Sequence, residues 1–62
     1  MNTTEIIEAI ENGQQKEKWD EWLNHESEHV RYRLAYQEYN LEHFIDDNHK
    51  TIREMVMEKN LI

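Results

Sequence analysis

Residues 19–34, WDEWLNHESEHVRYRL, and residues 41–56, LEHFIDDNHKTIREMV, carry the same pattern twice. At an offset of 22 residues, Trp19, Trp22 and Leu23 fall on Leu41, Phe44 and Ile45, while Val30, Arg31 and Leu34 fall on Ile52, Arg53 and Val56. Each copy runs from an aromatic or aliphatic residue through an apolar pair to a polar corner. An aliphatic residue, an arginine, two variable residues and a second aliphatic follow. Apolar spacings of three and four are helical, so each copy is expected to be a short helix, a corner and a second helix. A repeat of this length marks two-helix units stacked on one another, an architecture that binds macromolecules far more often than it performs chemistry.

The rest of the chain fits around these copies. It has 62 residues, no proline, no cysteine and one glycine, Gly13. So little turn chemistry favours helices joined by short polar corners. A first helix is expected behind Thr3 or Thr4 as cap, with Ile6, Ala9 and Ile10 on one face, ending at Asn12 and Gly13. A second is expected from Gln14 to Asn24. A third should run from about Glu28 to Tyr39 behind Ser27, with Val30, Leu34 and Ala35 inward. Leu41, Phe44 and Ile45 give a short fourth helix, and the fifth spans His49 to Lys59 with Ile52, Met55 and Val56 inward. The expectation is one all-α domain of five short helices: a capping helix in 1–13, a first unit in 14–39 and a second unit in 40–62. Trp19, Trp22 and Phe44 are assigned to its core, the usual place of large rings at helical spacing.

The pattern in residues 41–56 resembles the short HEAT-like and leucine-rich-repeat-variant units of bacterial and phage proteins, and the resemblance covers residues 19–58. It implies a fragment of a helical solenoid. In such units a corner acid precedes the arginine of the next helix by about six residues; Asp47 stands in that relation to Arg53. The resemblance therefore gives Asp47 and Arg53 a structural role, fixing the angle between helices. The first copy departs from it, with His25 six before Arg31. Arg31 is left to reach Asp46 or Asp47 of the neighbouring unit or to stand as an exposed contact.

Charge narrows the partners. Residues 1–28 hold eight acids and two lysines, whereas residues 29–62 hold six acids and five bases. Phosphate affinity comes mostly from Lys and Arg, so this balance disfavours direct binding to nucleic acid or to anionic membranes. No apolar run approaches the ~20 residues that span a bilayer. With no cysteine and no leader-like N-terminus, the expected location is the cytoplasm, or the host cytoplasm for a phage protein.

Chemistry finds little support. His25-Glu26-Ser27-Glu28-His29 matches the zinc-protease pattern of two histidines one helical turn apart around a glutamate. The repeat, however, sets His25 and Glu26 opposite Asp47 and Asn48 in a corner, off the single helical face that zinc binding needs. His25 and His29 are thus weak metal candidates. No catalytic residue and no cofactor is assigned, because one glycine builds no phosphate loop and Ser27 is the only serine.

The leading expectation is a non-catalytic protein-binding module, with phage origin following only from the resemblance. Tyr32, Arg33, Tyr36 and Tyr39 form the candidate contact surface, since Tyr and Arg dominate binding hot spots. Met55, Met57, Leu61 and Ile62 leave an apolar C-terminal end without a polar cap, which calls for a protein partner or a homodimer there. An alternative makes the acidic half, including Glu17, Asp20 and Glu21, a nucleic-acid mimic that blocks a basic host protein such as a nuclease. A small zinc-dependent hydrolase is the third reading.

Overall fold

A computed structural model describes residues 2–60, and they form an all-α fold. Four α-helices, α1 (Thr3–Glu11), α2 (Trp19–Trp22), α3 (Glu28–Tyr36) and α4 (Lys50–Asn60), are joined with two 3₁₀ turns at Lys16–Lys18 and Leu41–Phe44. The second and fourth expected helices are therefore shorter than the periodicity implied. One is a 3₁₀ turn running into a single α-turn that buries Trp19, Trp22 and Leu23, and the other is wholly 3₁₀ and buries Phe44 but leaves Ile45 exposed.

The cap of α1 lies one residue ahead of the expected threonines. Asn2 Oδ1 accepts from the Glu5 backbone N–H at 2.8 Å while the Asn2 N–H donates to Glu5 Oε1 at 3.5 Å, a reciprocal capping box. At the far end Gly13 takes φ +68°, its N–H donates to the Ile10 carbonyl at 3.1 Å, and the Gln14 N–H donates to that of Ala9 at 2.8 Å. That is the Schellman ending expected of a glycine.

The end of α3 has the same geometry without a glycine. Glu38 adopts φ +59°, its N–H donates to the Ala35 carbonyl at 2.9 Å, and the Tyr39 N–H donates to that of Leu34 at 3.1 Å. Helix α3 thus stops at Tyr36 and not at Tyr39. The Gln37 side chain then donates to the Ile10 carbonyl at 3.0 Å, binding the end of α3 to the end of α1.

Helix α3 lies in the middle, packed against α1 on one side and α4 on the other. The core runs through all three layers: Ile6, Ala9 and Ile10 from α1, Trp19, Trp22 and Leu23 from the first unit, Val30, Leu34 and Ala35 from α3, and Phe44, Ile52 and Val56 from the second unit. Trp19 places its indole N–H on the Gln14 carbonyl at 2.9 Å and meets Tyr39 edge-on at 5.2 Å. No helix among the described residues is long and apolar enough to cross a membrane.

Candidate docking site at the C-terminal end

The two corners are built alike, and their likeness lies in the backbone. Arg31 Nη1 donates to the His25 carbonyl at 2.6 Å and to that of Glu26 at 3.1 Å, while Arg53 Nη1 donates to the Asp47 carbonyl at 2.6 Å. Each arginine therefore closes its own corner through a carbonyl six residues upstream. The residue at that upstream position does a second job with its side chain. Asp47 Oδ1 accepts from the His49 N–H at 2.9 Å, and His25 Nδ1 accepts from the Ser27 N–H at 3.0 Å. A neutral imidazole with its proton on Nε2 thus stands in for a carboxylate as acceptor at the start of α3.

This explains how the first copy does without its acid. Ser27 occupies the N-cap position, but its hydroxyl makes no capping bond; His25 supplies the acceptor two residues earlier. A second connection runs between the two copies. The Asp47 carboxylate receives Arg31 of the preceding unit, Nε to Oδ2 at 2.9 Å and Nη2 to Oδ1 at 3.4 Å, with the two side chains only 16% and 6% exposed. Arg31 thus has two edges: Nη1 holds its own corner, and Nε with Nη2 grips the corner of the next layer. His43 adds a lighter tie, its Nε2 lying 3.1 Å from Asn24 Oδ1.

The two units differ where that gripping ends. Leu23 is 7% exposed but its counterpart Ile45 is 51% exposed; Ala35 is fully buried but its counterpart Met57 is 65% exposed. Ile45, Val56 and Met57, with Arg53 and Asn60, line an apolar groove on the outer side of the second unit. Arg53 is half-buried there, and among the described residues its Nε and Nη2 have no acceptor.

The other expected site residues are distributed around the molecule. Tyr32 and Tyr36 line a shallow groove with Met55, Glu58 and Lys59, whose ammonium sits 5.1 Å from the Tyr36 ring centroid. Arg33 and Tyr36 border another with Glu11 and Gln37. Tyr39 does not join them: it is half-buried against Trp19 and donates its hydroxyl to Asp20 Oδ1 at 2.6 Å. That bond, with burial and the Asp20 charge behind it, raises the Tyr39 phenol above its ordinary pKa. Glu17, Asp20 and Glu21 are all exposed, and Asp20 is set apart by its bond from Tyr39. The expected apolar cluster of Met55, Met57, Leu61 and Ile62 also divides. Met55 is half-buried in the tyrosine groove and Met57 faces the Arg53 groove, while Leu61 and Ile62 lie outside the described residues.

His25 precedes α3 and His29 lies within it, so the two histidines do not share the helical face that the zinc pattern needs. Among the described residues no three His, Asp or Glu side chains stand close enough to hold a metal ion. Glu28, in the first turn of α3, has its pKa lowered first by its own backbone N–H and then by His29, His49 and Arg31.

Two features of the site escaped sequence reasoning. The forward edge of Arg31 was legible only as one of several alternatives, and Ile45 gave no sign that it differs in exposure from Leu23. The 22-residue alignment sets Ile45 on Leu23 and does not distinguish the two. Compared with protein-family models, with curated proteins and with solved structures, the chain has no match.

Proposed function

We propose that this chain is a non-catalytic protein-binding module of two stacked HEAT-like units, and that it binds through its C-terminal end. The observation that carries this reading is the contrast between equivalent positions: Leu23 and Ala35 are covered, whereas Ile45 and Met57 stand 51% and 65% exposed. Apolar side chains beside a half-buried guanidinium are the composition of an interface core, where aromatic residues, Met and Arg are enriched. The cysteine-free sequence fits work in the cytoplasm.

The test is affinity capture from the source cell with the natural chain and with an Ile45→Asp/Met57→Lys variant. Both positions are exposed, so the variant should retain its helical circular dichroism and lose no more than ~0.5 kcal/mol of stability. The natural chain is expected to retain a protein that the variant does not. Identical capture by both, or capture abolished by Tyr36→Ala and not by the double variant, counts against the C-terminal end.

A further inference from the structure

We propose that the C-terminal end receives a third helix–corner–helix unit from another protein, and that this unit presents a carboxylate to Arg53. The inference rests on the reading of this end as the binding surface and specifies what binds there.

The chain contains its own template for the contact. Between the first and second layers, Arg31 holds its corner with Nη1 and grips the Asp47 carboxylate of the next layer with Nε and Nη2 at 2.9 and 3.4 Å. Arg53 repeats the first half of this arrangement, Nη1 on the Asp47 carbonyl at 2.6 Å. Its other two donors have no acceptor among the described residues. They belong to a planar fork whose best partner is a carboxylate. The apolar half of the template is repeated too. Leu23 and Ala35 are buried, whereas their equivalents Ile45 and Met57 are exposed and line a groove with the buried Val56. A ligand that satisfies both halves carries an acid in a corner and apolar residues on the flanking helices, as the second unit carries Asp47 between Phe44 and Ile52.

A second copy of this chain satisfies them poorly. Its N-terminal layer, α1, turns Glu5, Glu8 and Glu11 outward and exposes no large apolar side chain to meet Ile45 and Met57. Each copy also carries a net charge of −7, which opposes pairing at low salt.

The probe is a third unit supplied in cis. Residues 41–60 copied directly after Ile62 continue the 22-residue register, so the extended chain offers the copied Asp47 to Arg53. Docking should raise the thermal midpoint by about 5–10 °C over the natural chain, with helical ellipticity growing to match. Arg53→Glu should remove most of that increment, and reversing the copied aspartate to lysine in the Arg53→Glu chain should restore it. Each variant is compared with its own unextended parent, so any general loss of stability cancels. An increment indifferent to Arg53→Glu overturns the carboxylate contact but leaves an apolar docking surface standing. No increment with Arg53 intact overturns both this inference and the choice of the C-terminal end. Sedimentation equilibrium of the natural chain supplies the remaining arm: a monomer is expected at micromolar concentration, and a dimer abolished by Met57→Lys would make the occupant a second copy.

Discussion

Asp47 is the residue on which the two layers depend, and a double-mutant cycle with Arg31 measures how much. Its carboxylate caps the start of the last helix through the His49 N–H at 2.9 Å and receives the Arg31 fork, with the two side chains 6% and 16% exposed. Asp47→Ala removes the cap, worth about 1 kcal/mol. It also removes a charge-assisted pair that lies between the surface case of about 0–1 kcal/mol and the fully buried case of about 3–5 kcal/mol. Arg31 is not orphaned by the change, because the His25 and Glu26 carbonyls still accept from Nη1. The pair is therefore put at about 1–2 kcal/mol and the whole substitution at about 2–3 kcal/mol. A chain of this size has a total stability of roughly 3–9 kcal/mol, so the fold should survive with little to spare. With an m-value of about 1 kcal/mol per molar urea, the midpoint should fall by about 2–3 M. Asp47→Asn keeps an acceptor for His49 and should recover the capping part. Combined with Arg31→Met, Asp47→Ala should show a coupling of about 1–2 kcal/mol by urea titration followed by circular dichroism. A coupling below about 0.5 kcal/mol would make the contact an ordinary surface ion pair and remove the template on which the reading of Arg53 depends.

Three further outcomes follow from the same geometry. Glu38→Gly relieves a side chain held at φ +59° and should stabilise the chain by about 1 kcal/mol, seen as a rise of roughly 4–8 °C in thermal midpoint; no rise would mean that the Glu38 side chain contributes something its contacts do not reveal. His25 should show the Nε2–H tautomer by nitrogen NMR, since Nδ1 accepts from Ser27, and His25→Ala should cost about 1 kcal/mol while His25→Asp, reproducing the other corner, should cost none. Tyr39 has a raised folded pKa and Glu28 a lowered one. The Tyr39 contribution is therefore complete below about pH 10 and lost as pH climbs through the raised value, and the Glu28 contribution is complete above about pH 4.3 and lost as pH falls through the lowered one. Asp20→Asn should flatten the alkaline limb of a stability-versus-pH curve and leave the acid limb in place.

Much of the fold was legible because periodicity and the single glycine leave few choices. Ile6, Ala9 and Ile10, the Gly13 stop, and the inward sets of α3 and α4 lie where spacing puts them. The misplacements share a cause: several backbone groups are satisfied by residues that propensity does not single out. Asn2 caps ahead of two threonines, and Glu38 takes the left-handed turn that composition would reserve for glycine. His25 also does the work of an aspartate. Each depends on where a neighbouring N–H or carbonyl happens to fall, and no one-dimensional pattern records that position.

The sequence by itself determined the 22-residue offset between the two copies, the inward faces of α1 and α3 and the corner position of His25, since all of these are properties of spacing along a chain. Tertiary structure alone decided which partner each charged group found. Asp47 answers to Arg31 sixteen residues away and not, through its carboxylate, to Arg53, because stacking brings the corner of one layer against the arginine of the layer before it. It also decided that Ile45 and Met57, equivalent in pattern to the buried Leu23 and Ala35, stand in the open. Exposure depends on which side chains lie across from a residue in three dimensions, and a repeat in sequence carries no mark of that.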